Sequence, residues 1–177
     1  MTLKDTVKIV GGLMELAART APKAVGQDFI EAMVLTDEQR VAVGNEMFKI
    51  AQERGHAGWE RDGQNVLDAD AVVLIGLLPH PGAGLNCGAC GFATCEEFNR
   101  HHIAKEFDGP NCSIRVLDLG IALGSAAKMA SEMNVDNRIM YRIGVAARCL
   151  GIGKAGLSHG IPLSATGKNI FFDRTKK

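Results

Sequence analysis

Four of the five cysteines lie in one short, glycine-rich segment, residues 84–112. Cys87, Cys90, Cys95 and Cys112 follow the spacing C-x2-C-x4-C-x16-C. Glycines between closely spaced thiols allow the backbone to bend around a ligand without a Cβ in the way. A short-spaced run of cysteines with one distant partner is typical of iron–sulfur clusters, whose irons are held by Cys thiolates. The spacing therefore predicts one [4Fe–4S] cluster held by these four residues.

Zinc binding and disulfide bonding are two alternative roles for these cysteines. A structural zinc ion also takes four thiolates, but its sites usually show two C-x2-C pairs, and the second pair is missing here. Disulfides are disfavoured because the number of cysteines is odd. The first residues show no secretory pattern, so we expect a reducing compartment, in which disulfides are rare. The cluster accounts for the pattern best, and zinc is the alternative that stays open.

Length and charge limit the classes of protein and partner. A chain of 177 residues with 46% hydrophobic residues is long enough for one domain, residues 1–177, with a real core. A formal net charge of zero argues against nucleic acid as a partner, because phosphate binding needs a basic surface. The longest apolar run, residues 69–78, is too short to span a bilayer. We expect a cytoplasmic protein.

Hydrophobic periodicity predicts a mixed helix and sheet fold of the α+β class. The strongest strand is predicted over residues 71–78, whose apolar run indicates burial on both faces and places the cysteine segment at the end of a core strand. Helices are predicted over residues 2–20, 36–55, 61–67, 94–106, 113–133 and 137–150. Thr2, Thr36 and Asp136 are the predicted caps of the first, second and last of these helices. The other predicted strands cover residues 28–35, 157–163 and 169–172, and residues 175–177 are expected to form a loose tail.

The cysteine segment resembles that of known electron-transfer proteins. Cys87-Gly88-Ala89-Cys90-Gly91-Phe92-Ala93-Thr94-Cys95 with Cys112 is similar to the [4Fe–4S] segment of the RnfB subunit and of the corrinoid iron–sulfur protein, although Ser113-Ile114 stands where those proteins have prolines. The whole chain resembles a family of uncharacterised prokaryotic ferredoxin-domain proteins. The segments that carry this likeness are residues 17–24, 85–88 and 160–170.

Outside the cysteine segment, the order of elements resembles the flavin-dependent nitroreductases. Residues 21–27 and Leu150-Gly151-Ile152-Gly153 correspond to two stretches of that family, although its N-terminal Arg-rich phosphate clamp is absent and Leu-Gly-Ile-Gly is also an ordinary helix end. The resemblance implies a nitroreductase-like fold, a homodimer with flavin sites between subunits, and FMN bound by Lys23, Gln27, Gly160 and Lys168, with Arg174 as another candidate for the phosphate.

Two functions are consistent with these patterns. The first is an electron-transfer protein with a redox partner protein or a small-molecule electron acceptor. The second is a flavin-dependent oxidoreductase in which the cluster exchanges electrons with FMN. No arrangement of acids, bases or nucleophiles stands out in the sequence, so catalytic residues are not predicted.

Overall fold

A computed structural model describes residues 1–172 of the chain. The order of helices and strands confirms the predicted α+β class. A single 3-10 turn, Ala24–Gly26, lies between the first helix and the first strand. The elements in chain order are α1 (Leu3–Thr20), β1 (Ile30–Val34), α2 (Asp37–Arg54), α3 (Ala57–Asp68), β2 (Ala71–Leu77), α4 (Cys95–Asn99), β3 (Ile103–Ala104), β4 (Asp108–Gly109), α5 (Ser113–Glu132), β5 (Asp136–Asn137), α6 (Tyr141–Cys149) and β6 (Leu157–Ser164).

The main sheet has four antiparallel strands in the order β1-β2-β6-β5. In its centre, Ile75 of β2 pairs with Ala32 of β1 on one side and with His159 of β6 on the other. All seven residues of β2 are buried. This confirms the prediction of a core strand covered on both faces.

Helices pack on both faces of this sheet and form two cores. Val73, Ile75 and Leu77 of β2 belong to the core shared with α1 and α5. Val72 and Leu74 belong to the core shared with α2, α3 and α6. The side chains alternate between the cores because successive residues of a strand point to opposite faces. The chain therefore leaves β2 between two helical layers.

The predicted helix starts at Thr2 and Thr36 are confirmed. Each threonine side chain accepts the backbone N–H of the third helical residue, whose own side chain accepts the N–H of the threonine, as in a capping box. The helix α3 begins earlier than predicted, because His56 Nδ1 accepts the N–H of Gly58 and so caps its first turn. None of the helices within residues 1–172 combines the length and apolar character of a membrane span.

Two further predictions on the limits of helices were wrong. The helix predicted over residues 94–106 ends at Asn99, because Ile103–Ala104 pairs with Asp108–Gly109 and forms a hairpin instead. Asp136 does not cap a helix but pairs with Ser164 in the sheet, and α6 starts only at Tyr141.

Residues 169–172 form a turn rather than an edge strand. The side chain of Asn169 holds this turn, since its Oδ1 accepts the N–H of Phe171 while its Nδ2 donates to Asp136. Phe171 is fully buried in the core shared with α6. The predicted tail over residues 175–177 lies outside the described residues.

Candidate metal centre

The four predicted ligands come together at the end of the central strand. Cys87, Cys90, Cys95 and Cys112 all line one pocket, together with the side chains of Phe92 and Phe98. The first three cysteines reach it from the loop that follows β2 and from the start of α4, and Cys112 reaches it from the start of α5. Residues far apart in sequence thus place four thiols around one space.

The backbone of the loop bends at the positions that flank its cysteines. Gly88 and Gly91, on either side of Cys90, have φ angles of 72° and 90°, which favour glycine. The N–H of Gly91 donates to the carbonyl of Gly88 over 2.9 Å and closes this bend. The bend therefore presents Cys90 at the tip of a tight turn.

Cys95 is held by two neighbours from earlier in the loop. The N–H of Cys95 donates to Asn86 Oδ1 over 2.9 Å. A Cβ on Gly82 would lie 3.1 Å from Cys95 Sγ, which is closer than almost all real contacts of that kind, so Gly82 leaves the space that the thiol occupies. Gly82 is itself fixed, because its N–H donates to Asn99 Oδ1 over 2.8 Å.

Cys112 occupies the N-cap position of α5, a helix of 20 residues. The unpaired N–H groups and the positive end of the helix dipole favour negative charge at this position. Cys112 is buried, whereas Cys87 is exposed and Cys90 and Cys95 are half-buried. The pocket is therefore anchored in the core on one side and reaches the surface on the other.

The donor chemistry of the pocket fits an iron–sulfur cluster. All four lining cysteines are free thiols, and four Cys thiolates are the ligand set that such a cluster takes. Within residues 1–172 no group of three or more His, Cys, Asp or Glu side chains, these cysteines included, is arranged to hold a single metal ion. The fit to a cluster therefore rests on the type and number of the ligands in the pocket.

The four residues predicted to contact FMN lie in different parts of the fold. Lys23 Nζ donates to the carbonyls of Ala18 and Arg19 at the end of α1. Gln27 Oε1 accepts a hydrogen bond from Arg115 of α5. Lys23 and Gln27 therefore interact on the α1 and α5 side of the sheet.

The other two predicted FMN contacts come from later in the chain. Gly160 lies in β6, where an added Cβ would meet the Ile143 side chain of α6, on the opposite face of the sheet. Lys168 lies in the segment after β6, where its carbonyl accepts the hydroxyl of Thr166. The side-chain direction of Gly160 thus faces α6, whereas Lys23 and Gln27 lie on the α1 and α5 side of the sheet. Arg174 lies outside the described residues.

A buried ion pair beside the centre is not apparent from sequence periodicity. Arg115, in the first turn of α5, is 0% exposed, and Asp118 is 4% exposed. Arg115 Nη1 donates to the carbonyl of Ala24 over 2.9 Å and lies 3.3 Å from Asp118 Oδ2, while Asp118 Oδ1 accepts the N–H of Ala24 over 2.8 Å. The pair ties the turn after α1 to the helix that carries Cys112. The available signal in the sequence was two charges three residues apart in the otherwise uncharged stretch of residues 113–127.

Comparison with known proteins gives the family. A family model described as "Uncharacterized protein containing a ferredoxin domain (DUF2148)" matches residues 108–174, and one described as "Putative Fe-S cluster" matches residues 83–113. An uncharacterized protein from Archaeoglobus fulgidus is 44% identical over 174 residues, which cover 98% of this chain and 94% of that protein. The chain belongs to this ferredoxin-domain family. The iron–sulfur match includes all four cysteines, and the ferredoxin-domain match includes Cys112.

Solved structures show the fold of this ferredoxin-domain protein. A BluB-like flavoprotein from Clostridium difficile aligns with a TM-score of 0.57 and 16% identity, covering 100% of this chain and 95% of that one. Nitroreductase A from Vibrio parahaemolyticus aligns with a TM-score of 0.53 and 13% identity, covering 92% of this chain but only 60% of that one. The predicted nitroreductase-like fold is confirmed, and at these identities the likeness concerns the fold alone.

Proposed function

We propose that this iron–sulfur protein is an electron carrier of the cytoplasm in which Cys87, Cys90, Cys95 and Cys112 bind one [4Fe–4S] cluster. The observation that carries the proposal is the single pocket lined by all four thiols, within the segment that matches the iron–sulfur family. When bound, such a cluster accepts and releases single electrons. A centre that depends on free thiols suits a reducing compartment.

The residues of the chain have distinct tasks in this proposal. The cysteines hold the cluster, and the N-terminus of α5 stabilises negative charge at Cys112. Asn86 and Gly82 position Cys95. Electron exchange needs access, and the exposed side chains of Cys87 and Leu85 supply a surface for a redox partner protein or a small-molecule acceptor.

The test is an anaerobic purification followed by iron, sulfide, zinc and flavin analysis of one sample. We expect about four irons and four sulfides per chain, the stoichiometry of a single [4Fe–4S] cluster. Zinc without sulfide would refute the electron carrier in favour of a structural metal site. Reduction with dithionite should bleach the visible absorption, and a cluster that stays unchanged at every potential would also count against electron transfer.

A second candidate is a flavin-dependent oxidoreductase, favoured by the fold shared with a flavoprotein and with nitroreductases. Lys23, Gln27, Gly160 and Lys168 are the proposed FMN contacts. Lys23 and Gln27 lie on the α1 and α5 side of the sheet, whereas the side-chain direction of Gly160 faces α6, so we propose that an FMN using all four positions would lie between two chains. FMN released in the same analysis would support this function, and iron without flavin would leave the electron carrier.

The outer face of α5 supports a homodimer. Arg115 and Asp118, the charged residues between positions 113 and 127, are both buried, so this face is uncharged as far as Lys128. Leu117 is 61% exposed there, and Ile121 is 37% exposed. An uncharged face with exposed apolar side chains is suited to self-association, because a second copy presents the same surface.

A further inference from the structure

A second cavity lies directly beside the cysteine pocket. It has a volume of about 380 Å³ and is bounded by the end of β2, the segment after it, the end of α4 and the β3–β4 hairpin. Its lining includes the exposed polar residues Asn99, His101 and His102, so water can enter it. The cysteine pocket, by contrast, is lined mainly by thiols, glycines and apolar side chains. A space open to solvent therefore borders the space that the four thiols surround.

The boundary between the two spaces contains one aromatic side chain. Within the described residues, Phe98 is the residue that lines both the cavity and the cysteine pocket, and it is 3% exposed. Elsewhere the boundary follows the backbone. Pro81 lines the cavity and the next residue, Gly82, lines the pocket, and Asn111 and Cys112 divide in the same way. The side chain that stands between the two spaces is thus the phenyl ring of Phe98.

The ring of Phe98 is held by aromatic neighbours on two sides. It stacks on the ring of His80, with 6.2 Å between the ring centroids and 14° between the planes. Phe92 meets it edge to face, with centroids 5.9 Å apart. His80 in turn meets the ring of Phe29 at 6.0 Å. The N–H of Phe98 donates to the carbonyl of Thr94 over 3.1 Å. Packing and the helix together fix the ring in the boundary.

From this arrangement we infer that Phe98 keeps water away from the proposed cluster and so helps to set its reduction potential, an inference that rests on the proposed function. Solvent exposure is one of the factors that set the potential of an iron–sulfur cluster. A [4Fe–4S] cluster with four thiolate ligands is an anion, and reduction adds a further negative charge. Because water stabilises the more highly charged form, a barrier to water favours the oxidised form and lowers the potential.

The variant Phe98→Ala tests this role, since it removes the ring and joins the cavity to the cysteine pocket. The readout is an anaerobic redox titration of the cluster-loaded protein. At a given solution potential, we expect the ratio of reduced to oxidised cluster to rise about tenfold, which corresponds to a potential about 59 mV higher for one electron. Phe98→Leu keeps an apolar side chain in the boundary and should show a smaller shift of the same sign.

Phe171→Ala is the matched control. Phe171 is also a buried phenylalanine, but it belongs to the core shared with α6 and lines neither space. Both alanine variants should lower the free energy of unfolding, because each removes a buried ring. Only Phe98→Ala should change the potential, so the potential distinguishes a barrier to water from a purely structural role.

Pulsed EPR of the reduced protein in D₂O measures water access directly. Deuterium couplings to the cluster should be stronger in Phe98→Ala than in wild type or Phe171→Ala. An unchanged potential and unchanged couplings in Phe98→Ala with full iron and sulfide overturn the inference, as does an equal shift in Phe171→Ala. If Phe98→Ala does not assemble the cluster, Phe98→Leu decides by the same two measurements. Wild-type protein without iron and sulfide is instead a failure of the proposed function.

Discussion

Replacing Arg115 by methionine removes the charge of a fully buried side chain while keeping most of its aliphatic length. Asp118, 4% exposed, would then keep only the 2.8 Å hydrogen bond from the N–H of Ala24. Breaking a buried ion pair by removing one partner costs about 3–5 kcal/mol, because the remaining charge stays in the interior without compensation. We expect Arg115→Met to lower the free energy of unfolding by that amount.

The predicted loss of stability is large because the Arg115–Asp118 pair is buried, and an exposed ion pair on another helix serves as the control. Glu96 and Arg100 form an i,i+4 ion pair whose side chains are 78% and 70% exposed. Such surface pairs contribute about 0–1 kcal/mol. Arg100→Met should therefore change the free energy of unfolding by less than about 1 kcal/mol, although the substitution is the same.

The assay is anaerobic urea denaturation followed by far-UV circular dichroism, with iron content matched between samples. The double variant Arg115→Met/Asp118→Leu tests the reason for the loss, since it leaves no buried charge. We expect it to be more stable than the sum of the two single losses predicts, with a coupling of about 1–3 kcal/mol. Additive losses, or a loss below about 1 kcal/mol in Arg115→Met, would refute the reasoning.

Three further perturbations probe other parts of the molecule. Cys112→Ala should abolish cluster binding and loosen the start of α5, since metal binding and local folding are linked, whereas Cys149→Ala should retain full iron and sulfide; equal iron in both variants would contradict the ligand assignment. Burial lowers the pKa of His159 below its usual value, so the folded state resists its protonation. The free energy of unfolding should fall as the pH drops from about 7.5 to 5, and urea midpoints should show a smaller fall for His159→Phe; an identical pH dependence would argue against this origin. Leu117→Glu should turn a dimer into a monomer in light scattering during gel filtration, and a wild-type monomer would refute the proposed dimer.

Most of the architecture followed from local patterns in the sequence. The two threonine caps were predictable because each is followed at the right spacing by a side chain that completes the capping box. The central strand was predictable because successive residues of a strand face opposite sides of a sheet, so a continuous apolar run indicates that both faces are buried. The helix predicted beyond Asn99 failed because hairpin partners for residues 103–104 come from the chain that follows them, a pairing that helical periodicity does not register.

The predicted site residues came from two different sources. The predicted ligands came from the spacing of Cys87, Cys90, Cys95 and Cys112, because thiols so close along a loop have few other uses. The FMN contacts came from resemblance alone. They stay a prediction, and the side-chain direction of Gly160 faces α6 rather than the α1 side on which Lys23 lies.

Helices, the core strand and the candidate cysteine ligands could be predicted without coordinates, since each depends on residues near one another in the chain. The hydrogen bonds and packing around these elements could not be predicted, because they depend on contacts between segments that are distant in the sequence. Arg115 is bonded to residue 24 across 91 positions, and His80 to Asn111 across 31. Those contacts depend on how two helical layers close over one sheet, and closure is set by the packing of the whole core. The cavity beside the cysteines exists for that reason and has no signature in the sequence.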